Sequence, residues 1–196
     1  MPGPVSPSYQ GRRLREVRAR PRSSTEQGYP ILPETTAFLL LDVAGVACAL
    51  ARTSVSEVLP LPNLHAPPAG GGPLEGFLNL GGNPIPVVDL ARLLGLRAGG
   101  TESEATSAYR HIVLDAQGST GFLVDRVEDL ISIEASAIRA VSPERTLNGC
   151  VISEIAHDDG LIHVLGLSHL LTSEERLRLA ALADAAAERL AALSAA

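Results

Sequence analysis

The chain has 196 residues and a formal net charge of −6, enough for one substantial domain that buries roughly two-thirds of its unfolded surface. Hydrophobic residues make up 45% of it but aromatics only 3%, with no Trp, so its core is built from Leu, Val, Ile and Ala. That composition and the negative balance argue against a nucleic-acid platform, which needs stacking aromatics and positive charge.

All 16 positive residues are Arg. Residues 1–33 hold six of them (Arg12, Arg13, Arg15, Arg18, Arg20, Arg22) against Glu16 and Glu26, a local +4 that leaves −6 − 4 = −10 for the remainder. Rich in Pro, Ser and Gly and without a sustained period, this stretch predicts a disordered tail. The tail reads as simply solvated; contact of its basic charge with an acidic partner or a membrane surface is the alternative. No continuous apolar stretch marks a secretory signal, and no run reaches transmembrane length, so the reading is cytoplasmic with no membrane insertion.

From residue 38 the texture becomes strand-like. AFLLLDV and VACAL form a hairpin across Ala44-Gly45. In TSVSEVLPL, alternation puts Val55, Glu57 and Leu59 on one side and Ser56 and Val58 on the other, until Pro60 and Pro62 end the strand. HAPPAGGGP is a loop. LEGFLNL and IPVVDL flank the Gly81-Gly82-Asn83 turn, which Asn79 and Gly82 shape. Asp89 caps the short helix opened by Leu90, and AGGTESEATSA is a polar linker.

The second half repeats the rhythm. YRHIVLDA and TGFLVDRV are strands around a QGS turn, and EDLISI continues with Ile131 and Ile133 facing the core. GCVISEIA and LIHVLGL flank Asp158-Asp159-Gly160, a hairpin signal. Short strands at close spacing predict small barrels, in two half-domains of about 38–97 and 108–171 that share a core. Thr172 and Glu175 have capping-box spacing. Leu179, Leu182, Ala186, Leu190 and Leu193 then make one apolar stripe, with Arg178, Asp184 and Glu188 off it. This C-terminal amphipathic helix over 172–196 either folds back on the barrels or mediates association.

Chemistry-bearing residues are sparse. Cys48 and Cys150 each sit in an apolar run and read as buried small hydrophobes rather than as a disulfide or metal pair. The five histidines (His65, His111, His157, His163, His169) form no paired helical motif, and His111 and His163 read as structural residues of strands. His157-Asp158-Asp159 reads as a hairpin turn rather than a metal cluster. There is no nucleophile elbow or phosphate loop. The expectation is a protein without catalysis, cofactor or metal.

Residues 74–96 (LEGFLNLGGNPIPVVDLARLLGL) and 121–133 (GFLVDRVEDLISI), supported by TSVSEVLPLP, the closing hairpin and LTSEERLRL, resemble the CheW family in order over about 36–176. The resemblance implies an all-β fold of two small five-stranded, SH3-like β-barrels around a continuous hydrophobic core, with the C-terminal α-helix appended to a domain over 34–171. It implies a non-enzymatic adaptor that binds the regulatory domain of a CheA-type histidine kinase. The second implied partner is the cytoplasmic tip of a methyl-accepting chemoreceptor, held in a groove between the barrels. The implied setting is chemotaxis arrays at the inner membrane; the alternative is a divergent scaffold in another array, such as pilus-based surface sensing or polar localisation. Candidate groove residues by position are Leu39, Val55, Val58 and Val124, with Glu57 beside them. Asn79, Gly81 and Gly82 mark the family's Asn-Leu-Arg-Gly turn, where this chain carries Gly81 in place of Arg. Pro84 and the basic tail are further departures.

Overall fold

The chain divides into two units, Met1–Leu32 and Pro33–Ala196. A computed structural model describes residues 35–66, 72–97, 109–157 and 160–194, all within the second unit. The tail expected over 1–33, the linker at 98–108 and the Asp158-Asp159 pair lie outside the described residues.

Eleven strands are described. They are β1 (Thr35–Val43), β2 (Val46–Ala51), β3 (Val55–Pro60), β4 (Leu74–Leu80), β5 (Asn83–Asp89), β6 (His111–Asp115), β7 (Gly121–Val124), β8 (Arg126–Glu134), β9 (Ile138–Ala140), β10 (Val151–His157) and β11 (Gly160–Leu165). The helices are α1 (Leu90–Leu93), α2 (Leu167–Leu170) and α3 (Ser173–Ser194). One sheet, A, has the order β8-β1-β2-β11-β10-β9; the other, B, has the order β3-β6-β7-β5-β4.

The sheets do not divide where the polar linker does. Sheet B takes β6 and β7 from the second half of the chain, and sheet A takes β1 and β2 from the first. Two parallel pairings, β11 with β2 and β5 with β7, stitch the halves together; they are non-local and leave no signal in sequence spacing. Sheet A also has a sixth strand, β9, within the expected Pro-containing connection. It pairs Ile138 with Ile155 and turns an Ile toward the interior of sheet A.

Strand alternation generates three apolar interiors. On β1, Phe38 and Leu40 face an interior enclosed by sheet A alone, to which all six of its strands contribute. The intervening Leu39, Leu41 and Val43 face an interior shared with sheet B. In sheet B the same division separates Val87, Ile112 and Leu123, which face its own interior, from Val88, Val113, Phe122 and Val124, which face the shared one. A sheet that fills its own concave face must curl, as small barrels do. Gly121 is required inside sheet B's own interior: a Cβ there would sit 2.8 Å from Ile112 Cγ2.

The sequence-based facing of β3 needs correction. Val55 pairs with Asp115 and Glu57 with Leu114, so Ser56 is an extra, bulged residue. The bulge moves Val58 onto the face of Val55, toward the shared interior, and leaves Leu59 toward the interior of sheet B.

The capping box opens α3 as expected. Thr172 Oγ1 accepts from Glu175 N at 3.2 Å, and Glu175 Oε2 accepts from Thr172 N at 2.7 Å. The buried face is rotated from the expected stripe, however. Leu179, Ala183, Ala186 and Leu190 turn inward, while Leu182 is 38% exposed. Small residues let the helix lie close to β5, against which it packs. The side chain of Leu193 lies outside the described residues.

Candidate partner-binding site

A protein that works by docking needs apolar side chains at the surface over a rigid base. The shared interior reaches an open strand edge in two places. β8 is an edge strand of sheet A, and its Leu130 lies directly opposite Leu39 on β1. Cross-strand partners point to the same face, so Leu130 extends the inter-sheet surface outward, where it is 53% exposed. β3 is an edge strand of sheet B. Its Val58 lies opposite the fully buried Val113 and is half-buried, with Glu57 exposed beside it.

Of the groove candidates, only Val58 and Glu57 offer surface. Leu39 (8% exposed), Val55 (6%) and Val124 (1%) are members of the shared core. An inter-sheet core and an inter-sheet groove share one strand face, so alternation alone does not separate cleft residues from core ones. Sequence does not single out Leu130. A signal is present, since it alternates with the inward-facing Ile131 and Ile133, but an outward Leu on a strand is ordinary unless its cross-strand neighbour is known.

The β4–β5 turn forms a separate part of the surface. Leu80 pairs with Asn83, which leaves Gly81 and Gly82 as a two-residue turn with φ of +60° and +94°. Both values lie in the left-handed region that a type I′ hairpin demands. Asn79 Oδ1 accepts from Gly82 N at 2.8 Å, so Asn79 shapes the turn as expected.

A buried ionic framework holds these edges in place. Asp89 caps α1 by accepting from Arg92 N at 2.9 Å, and its other oxygen accepts from Arg110 Nη2 at 2.5 Å. Asp125 accepts from Arg97 Nη2 and from Ala44 N, each at 2.6 Å. Arg110 Nε also lies 3.7 Å from Asp125 Oδ1. Arg92 reaches on to Glu75 at 2.9 Å. The network fastens β4, the β5–α1 junction, the approach to β6, the β7–β8 link and the β1–β2 turn. It also holds Ala44 at a φ of +53°, a backbone state that costs a non-Gly residue roughly 1 kcal/mol.

Nothing in the described residues suggests reaction chemistry. Burial pushes the Cys48 thiol up to about 12, with smaller contributions from Asp42 and Cys150, and burial likewise raises Cys150. A thiol so disposed is a poor nucleophile. The histidines do not converge. His163, read as a structural residue of its strand, is 36% exposed in its side chain and lies 3.4 Å from Glu154 on the paired strand. Among the described residues no three of His, Cys, Asp and Glu lie together in a metal-binding arrangement. No described helix is long and apolar enough to cross a membrane.

Two curled sheets with a shared core, a pinned frame and apolar residues at open edges define a β-rich domain suited to docking. The family profile of the CheW-like domain matches residues 37–175, and the chain belongs to that family, one of adaptors rather than enzymes. Among solved structures, the scaffolding protein TtCheW from Thermoanaerobacter tengcongensis has a similar fold. The match has a TM-score of 0.62 and 23% sequence identity, over 76% of this chain and 96% of that one. No curated protein matches the chain. Most of α3, from residue 176 onward, lies beyond the family match.

Proposed function

We propose that this protein is a non-enzymatic adaptor that couples the cytoplasmic tip of a methyl-accepting chemoreceptor to the regulatory domain of a CheA-type histidine kinase. It works in the cytoplasm, beside receptor arrays of the inner membrane. The observation that carries the reading is the apolar inter-sheet surface emerging at Leu130 and Val58; Glu57, the exposed chain neighbour of Val58, lies on the same edge strand. A helical receptor tip supplies the apolar side chains such a surface accepts, and Glu57 offers a pairing partner for an Arg. The β4–β5 turn, with Asn79, Gly81 and Gly82, is the second contact region.

Gly81 favours a second reading, a scaffold of the same fold in another array. It removes the forked donor that the family places in this turn. Space is not the obstacle to restoring it, because a Cβ on Gly81 meets nothing within 4 Å. Gly81→Arg therefore folds, with a loss of roughly 1 kcal/mol for the left-handed backbone.

Titration calorimetry against the kinase regulatory domain and a receptor-tip fragment from the same organism tests the proposal. Saturable one-to-one binding of both is expected, with roughly tenfold weaker receptor binding in Leu130→Glu. Kinase binding without receptor binding, regained in Gly81→Arg, supports the second reading. No binding to either by folded protein removes the chemotaxis assignment.

A further inference from the structure

A second apolar surface lies apart from the β3 and β8 edges. A groove of about 970 Å³ runs between α3 on one side and the β6–β7 turn, the start of β5 and the ends of β10 and β11 on the other. Pro84, Pro86 and Phe122 lie along it. Two of the chain's exposed large hydrophobics open into it, Leu177 (72% exposed) and Ile152 (42%). The patch thus carries both an apolar knob and an unfilled hollow. A surface with both is suited to a copy of itself, because an isologous interface places the same patch on each side of a two-fold axis.

The residues that α3 sends into this groove fit that symmetry. They include Arg176, Leu177, Ala180, Ala183 and Asp184. When two α3 helices run antiparallel about an axis at Ala180, residue 176 of one copy meets 184 of the other, and 177 meets 183. Arg176 then faces Asp184 twice, and each Leu177 faces the small Ala183 and the hollow beside it. Ala180, exposed and small, lies at the crossing, where backbones must approach most closely. Arg176 donates to Ser168 O at 2.7 Å, and its fork keeps further donors for an opposing carboxylate. Arg178 is occupied within its own helix by Glu174 at 2.6 Å.

We propose that the groove is filled by a second copy of this chain, through antiparallel pairing of the two α3 helices about a two-fold axis at Ala180. Neither Leu130 nor Val58 lines the groove, so a dimer leaves the β3 and β8 edges open, whereas Asn83 and Pro84 put the β4–β5 turn at the groove's rim. The contact is confined to one helix pair and the groove beside it, at the small end of interface sizes, so dissociation falls at roughly 10–100 μM.

Sedimentation velocity of the full chain across that range tests the proposal, with expected growth of a dimer peak. Leu177→Glu should abolish the peak without shifting the melting temperature, since Leu177 is mostly exposed in the monomer. Asp184→Arg and Arg176→Glu each create two like-charge contacts in a homodimer, and each should remain monomeric alone. Mixed in equal amounts, the two variants restore opposite charges at both contacts. Native Arg176 meets native Asp184 at one, the introduced Arg meets the introduced Glu at the other, and the dimer should return. A native chain that stays monomeric throughout, or single variants that dimerise like the native chain, overturns the proposal. Failure of the mixture to dimerise overturns the antiparallel register on which it rests.

Discussion

Replacing Arg110 by Met removes the central cation of the buried framework. Its side chain is 2% exposed, and Asp89, which it holds, is fully buried. Without Arg110, Asp89 keeps Arg97 at 3.8 Å and Arg92 at 3.9 Å, longer contacts from more exposed side chains, together with the α1 cap. Stranding one partner of a buried pair typically costs about 3–5 kcal/mol. The two remaining guanidiniums place this case near the lower end, about 3 kcal/mol. The contrast is Arg178→Ala, whose pair with Glu174 is 73% and 74% exposed and is worth only about 0.3–0.5 kcal/mol. Urea unfolding followed by circular dichroism resolves both values. Arg110→Met/Asp89→Asn should recover much of the loss, because Asn still caps α1 and leaves no buried charge. A loss below about 1 kcal/mol for Arg110→Met, or a double variant no more stable than the single one, refutes the reasoning.

Gly121→Ala should cost about 1–3 kcal/mol in the same assay, because the new methyl meets Ile112, Leu114 and Val87 in a filled layer. The Cys48 thiol should resist a chromogenic disulfide reagent at pH 8 and react only after unfolding, consistent with its elevated pKa. Glu175 is held below the usual carboxylate range, chiefly by the Thr172 backbone N–H and next by its hydroxyl. The stability it lends α3 is fully present above the ordinary Glu value and is lost as pH falls through the lowered one. Amide protection across 173–180, exchange measured relative to the unstructured chain at the same pH, should therefore fall in acid for the native chain, and Glu175→Gln should flatten that dependence.

Strand existence was legible because period-two alternation is local, and the hairpins at Ala44-Gly45 and Gly81-Gly82 announced themselves by turn chemistry. Family motifs then carried the fold. Sheet membership was not legible, since the pairings of β1 with β8 and of β2 with β11 join residues far apart in the chain. Single-residue facing failed where geometry intervened. The bulge at Ser56 flipped Val58, and a rotation of α3 exchanged Leu182 for Ala183. The candidate site was half legible. Glu57, Val58 and the β4–β5 turn are at the surface, whereas Leu39, Val55 and Val124 fill the core. Leu130 and the role of Arg110 needed three-dimensional neighbours, because neither stands out by residue type or spacing.

The most direct test of the adaptor account is an NMR titration of the isotope-labelled full chain with the receptor-tip fragment. The account predicts that the amides of Glu57, Val58 and Leu130 shift first and saturate together, while those of α3 and the β6–β7 turn stay still. Saturable shifts confined to the groove, or none at any site in a folded sample, would contradict it.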